Sequence, residues 1–159
     1  MATFNRQPLL QPSVLDRLLD DYPDNNLLDN APLYELTQFK QSLARDLESL
    51  LNTRLMPAEV RDDDYPLART SMLNYGIPDL SGISLLNPDD RELLREQLRR
   101  AIETHEPRLS RVRVNLDAPR EMERHLRFRV DAVLRIHPHR PPVTFDATLQ
   151  LSSNVYKVE

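Results

Sequence analysis

Two side chains of opposite charge flank a proline at Glu106-Pro107-Arg108. If this tripeptide is extended, Glu106 and Arg108 project to the same side, because residues i and i+2 of an extended chain share a face. A carboxylate and a guanidinium fork held together at an exposed corner can grip a partner's backbone or side chains by charge-assisted hydrogen bonds. Spacing alone is equally met by an ordinary helix-to-strand turn carrying two solvated charges. A peptidoglycan-cleaving glycosidase is the alternative chemistry, and it needs two carboxyl groups around a sugar cleft. Glu106 with Asp117 or Asp79 is the pairing available. Arg108 beside Glu106 favours the charged carboxylate, the wrong state for an acid catalyst. The chain has no Trp, so a sugar platform would have to use Tyr or Phe.

Other chemistry is thinly represented. With no Cys, disulfides and thiolate metal sites are excluded. No Ser stands in a nucleophile-elbow setting. Asp62-Asp63-Asp64 invites calcium, but the glycine and terminal glutamate of an EF-hand loop are missing. His137 and His139 on a proline-rich turn read as solvated rather than metal-binding. Only two glycines occur, and no phosphate-cradling pattern is present. The expectation is a protein with no metal and no cofactor.

At 159 residues the chain is long enough for one domain that buries roughly 70% of its unfolded surface. A flexible arm over 1–12 and a single domain over 13–159 are expected. No apolar run reaches the roughly 20 residues of a membrane span. The first ten residues lack a basic-then-apolar signal pattern, which makes a cytoplasmic protein the default. Residues 1–104 hold 11 basic against 18 acidic side chains, and residues 105–159 hold 10 against 7. The basic excess of the second half is too diffuse to argue for nucleic acid.

The elements that must position the corner are legible in order. Ser13 is a plausible N-cap for a short helix with Val14, Leu15, Leu18 and Leu19 on its apolar face. A second helix starts near Pro32 and runs to about Asn52. Its stripe of Leu36, Phe39, Leu43, Leu47 and Leu50 leaves Arg45, Asp46 and Glu48 on a solvated side. Gly76 and Gly82 each suggest positive φ or a close approach. Asn87-Pro88-Asp89-Asp90 opens a third helix, with Leu94, Leu98, Ala101 and Ile102 as its buried edge. Glu96 with Arg100 and Arg99 with Glu103 are spaced for weak ion pairs along its wet side. Pro107 stops this helix by His105. Beyond it, 109–116, 126–136 and 143–151 alternate apolar and polar residues, as a half-buried antiparallel sheet with one wet face requires. The fold class is α+β, with N-terminal helices packed on a C-terminal antiparallel sheet of at least three strands. Its two edge strands offer unpaired backbone groups to another chain.

Three stretches carry a resemblance: Arg45 to Arg54 (RDLESLLNTR), Ser71 to Leu80 (SMLNYGIPDL) and Glu106 to Leu109 (EPRL). In this order and spacing they resemble the TssE family, the small baseplate subunit of the type VI secretion system. That family is similar to the wedge protein of contractile phage tails long labelled lysozyme-like. The resemblance covers about residues 13–155. It implies a non-enzymatic structural role, a fold similar to the attachment domain of the sheath subunit, and a cytoplasmic baseplate docked at the inner membrane through other subunits. It also implies two partners, the helical bundle of the large wedge subunits and contractile sheath subunits added by strand pairing. Glu106, Pro107 and Arg108 are then expected to seat on the bundle, with Asp46, Glu48 and Arg54 as a second contact. Alanine at Glu106 or Arg108 is expected to spare the fold and abolish wedge binding.

Overall fold

The computed structural model describes residues 13, 16, 18, 36–55, 65–79, 82–118, 125–136 and 140–159. The arm 1–12, Asp62–Asp64 and His137 and His139 lie outside these residues. The chain forms two compact units, Met1–Ala44 and Arg45–Glu159, with the boundary inside the first long helix.

In the first unit, Ser13 caps as its sequence suggests. Its hydroxyl accepts from the Asp16 N–H at 3.1 Å, and the Asp16 carboxylate accepts from the Ser13 N–H at 3.1 Å. This reciprocal box satisfies two otherwise orphaned groups. Asp16 is buried and also accepts from the Ser42 hydroxyl at 2.7 Å. Leu18, assigned by spacing to the apolar face, is instead 75% exposed.

Helix α1 spans Leu36–Asn52. Phe39, Leu43, Leu47 and Leu50 of the stripe are buried, and Leu51 joins them. Helix α2 spans Pro88–His105 and starts and stops where its sequence requires. The Asn87 side chain accepts from the Asp89 N–H at 3.0 Å, and Pro88 occupies the first turn. Leu94, Leu98, Ala101 and Ile102 form its buried edge.

The sheet has four antiparallel strands in the order β1 (Leu109–Leu116), β2 (His125–Leu134), β3 (Pro142–Gln150) and β4 (Val155–Val158). The strict alternation of β2 and β3 places Leu126, Phe128, Val130, Ala132 and Leu134 with Val143, Phe145, Ala147 and Leu149 on the buried face. β4 lies beyond the anticipated strands. Asn154, in the left-handed region at φ 52°, turns the chain from β3 into it, a conformation asparagine tolerates better than most residues.

β1 departs from its expected spacing of two. Leu109, Val112 and Val114 are the buried positions, so the first step is three. The register slips by one residue between Ser110 and Arg113, and Arg111 takes φ 54°. This is a β-bulge, which bends and twists the strand locally. Its consequence is that the corner and the rest of β1 both keep their apolar side chains inward.

Candidate functional site

The corner is built where α2 ends. The Glu106 N–H donates to the Ile102 carbonyl at 2.9 Å, closing the helix, and the Leu109 N–H donates back to the Glu106 carbonyl at 3.1 Å. Residues 106–109 are therefore a tight turn and not the extended tripeptide expected. Glu106 and Arg108 still meet, because the turn folds the carboxylate over its own backbone. Glu106 Oε1 accepts from the Arg108 N–H at 3.1 Å and from Arg108 Nε at 2.6 Å, while Oε2 takes the second guanidinium nitrogen at 2.5 Å.

Exposure differs from the sequence expectation. Glu106 is only 5% exposed, whereas Arg108 keeps 26% of its side chain in solvent and Pro107 is exposed. The outer member of the pair is thus the guanidinium with its neighbouring proline ring. A buried carboxylate is tolerated because it receives several charge-assisted bonds.

Asp46 completes the arrangement. Its Oδ2 accepts from Arg108 at 2.6 Å, across 62 residues of sequence. Asp46 is therefore not on a merely solvated helix face, and Arg45 pairs with its other oxygen at 3.1 Å. Burial works against the Arg108 charge, but the hydrogen bonds it donates to Glu106 and Asp46 more than offset this and hold the guanidinium above its ordinary range. One arginine clasped by two carboxylates cannot rotate freely, so its remaining surface is presented in a single pose.

Residues 74–76 come to the same place. Tyr75 packs edge-on against His105, with ring centres 5.2 Å apart. His105 Nε2–H donates to the Asn74 carbonyl at 2.7 Å. Burial raises the Tyr75 hydroxyl above its usual range, and the negative charges of Asp46 and Glu106 raise it further. Gly76 explains itself: its φ is 113°, and a Cβ there would lie 2.5 Å from the Thr53 carbonyl oxygen. That close approach lets Ile77 bond with Thr53 and Leu55 at 3.0 and 2.8 Å. Gly82 shows neither property, since open space surrounds it.

The remaining candidates have different surroundings. Glu48 accepts from the Val158 N–H at 3.0 Å, within the fold. Arg54 pairs with Asp79 at 2.6 Å, and both are well exposed. For the glycosidase alternative, Asp79 is engaged by Arg54, and Asp117 lies beyond the far end of β1 from Glu106. Eight strand residues span roughly 26 Å, well beyond the separation of a glycosidase pair.

The sequence model of the family described as baseplate wedge protein gp25 matches residues 37–139, more than half of the chain. The chain belongs to this family. As a gp25-type wedge protein it carries all six candidate residues, Asp46, Glu48, Arg54, Glu106, Pro107 and Arg108, inside the matched range. A solved chain described as "The baseplate complex from the type VI secretion system" is similar at 18% identity and a TM-score of 0.47, over 69% of this chain and 93% of that one. No curated protein matches the chain. Sequence reasoning found Glu106 and Arg108 but missed Tyr75 and His105 as their neighbours; the signal available was a ring inside the second quoted stretch and another directly before the third.

Proposed function

We propose that this gp25-family protein links the wedge of a type VI secretion baseplate to the contractile sheath and templates the first sheath ring. It seats on the helical bundle of the large wedge subunits through Pro107 and the clasped Arg108. It is a structural part with no reaction to perform, working on the cytoplasmic side of a baseplate held at the inner membrane by other subunits. No helix among the described residues is long and apolar enough to cross a membrane.

The observation that carries this reading is the clasp of Asp46, Arg108 and Glu106. Such a feature reduces the ordering cost of docking, because the guanidinium is already fixed before a partner arrives. The role of Glu106 is to hold Arg108 from beneath rather than to touch the bundle. Arg54 with Asp79 forms the presentable part of the second contact, since Glu48 is bonded to β4.

The test is co-purification of the full chain with the large wedge subunits and the sheath subunits. Both are expected to be recovered together. Arg108→Lys keeps the charge but loses the bidentate fork, and it is expected to lose the wedge subunits while the thermal transition stays cooperative. Recovery of neither partner by the unaltered chain would overturn the assembly role.

A further inference from the structure

Two strands border the sheet, and their register fixes which backbone groups each leaves outward. On β4, Glu159 exchanges both hydrogen bonds with Asp146, at 3.2 and 2.8 Å. Hydrogen-bonded pairs alternate along an antiparallel ladder, so Val155 and Lys157 also turn towards β3, and Tyr156 and Val158 turn away. Three of these four outward groups are bonded to α1. The Asn52 carboxamide accepts from the Tyr156 N–H at 2.8 Å and donates to the Tyr156 carbonyl at 2.9 Å. Glu48 accepts from the Val158 N–H at 3.0 Å. One turn of helix thus occupies this margin as a neighbouring strand would.

β1 is different. The Asp117 N–H donates to the Arg127 carbonyl at 2.9 Å. By the same alternation, Asn115 and Arg113 turn towards β2, and Val114 and Leu116 turn outward. No hydrogen bond from another described residue reaches the outward N–H or C=O groups of Val114 and Leu116. Charge separates the two margins further. Arg111 and Arg113 are exposed and have no ion pair among the described residues, whereas Lys157 on β4 pairs with Glu159 at 3.0 Å.

We propose that α1 closes the β4 margin through Glu48 and Asn52, so that strand addition is confined to β1, where it takes an extended segment with acidic side chains at alternate positions. Opposite-charge partners across adjacent strands are favoured, which sets acids beside Arg111 and Arg113. The intervening apolar side chains continue the buried face beside Val112 and Val114. The bulge at Arg111 and the bond from Arg91 to the Asp117 carbonyl at 2.9 Å bound the open stretch at either end. The choice of β1 deepens the strand-addition part of the proposed function and rests on it; the closure of β4 stands on its own bonds.

Hydrogen exchange of single amides in the full chain tests both halves, with a blocked ten-residue peptide of alternating Glu and Val as the probe. The peptide is expected to slow exchange at Val114 and Leu116 at least threefold and to leave Tyr156 and Val158 unchanged. A Lys-Val peptide, or Arg113→Glu with the acidic peptide, is expected to give no slowing. Glu48→Ala with Asn52→Ala is expected to speed Tyr156 and Val158 at least tenfold relative to Val130 in the sheet centre. Slowing at β4 in the unaltered chain, no slowing at β1, self-association through β1, or unchanged β4 amides in the double variant would each overturn the inference. Normal protection of β1 by the peptide, with no sheath recovered in the co-purification, would overturn the assembly role and leave the edge assignment standing.

Discussion

Arg108 and Arg99 make the same contact in two settings. Each bridges two carboxylates: Arg108 joins Glu106 and Asp46, and Arg99 joins Glu96 and Glu103. The acids of Arg99 lie three residues before it and four after it on one helix face, open to water. Those of Arg108 come from its own turn and from a helix 62 residues upstream, and Glu106 is buried. Exposed pairs contribute little because water and salt screen them. Breaking a buried pair leaves a charge without compensation. Equal geometry therefore yields a surface decoration in one place and a structural tie in the other.

The largest expected effect comes from removing the tie. Arg108→Ala leaves Glu106 buried and unpaired and is expected to destabilise the chain by about 3 kcal/mol, the low end for breaking a buried pair. This revises the expectation that alanine here spares the fold. Denaturant unfolding checks it, and adding Glu106→Gln to Arg108→Ala should restore part of the loss by removing the stranded charge. A loss below about 1 kcal/mol, the range of exposed pairs, would erase the contrast with Arg99.

Gly76→Ala should cost about 2 kcal/mol, since it forces a side chain into a left-handed backbone and against the Thr53 carbonyl. It should also shift Tyr75, so that the phenol titrates closer to its ordinary range in a spectroscopic pH titration. An unchanged phenol would show that Gly76 does not position Tyr75 at the clasp.

Glu96 gives the smallest effect. Hydrogen bonds from Arg99 and then Arg100 pull its carboxyl down to about 2. A folded value below the unfolded one stabilises the chain above the ordinary carboxylate range and loses that contribution as pH falls towards about 2. Because the group is open to solvent, Glu96→Gln is expected to leave the melting temperature unchanged at physiological salt. Carboxyl titration by NMR should find the low midpoint at low salt and a rise as salt is added.

The same contrast explains what was legible in the sequence. The ion pairs of α2 follow from spacings of three and four on one helix, and its ends follow from Asn87-Pro88 and Pro107. β2 and β3 follow from unbroken alternation. The clasp was half legible: Glu106 and Arg108 are near neighbours, but nothing local reveals that Glu106 is buried or that Asp46 reaches them. The bulge was hidden because Arg111 and Arg113 keep a polar rhythm while Leu109 and Val112 sit three apart. β4 has only four residues, too few for a period. Glu48 and Asn52 looked like ordinary helix-surface residues, because their partners are backbone groups more than a hundred residues downstream.

The most direct measurement is quantitative recovery of the large wedge subunits by the full chain carrying Arg108→Lys or Arg99→Lys, each at matched thermal stability. Both changes keep the charge and remove the planar fork. The clasp account predicts at least a tenfold loss of recovery for Arg108→Lys and none for Arg99→Lys. Equal recovery by the two variants would contradict it.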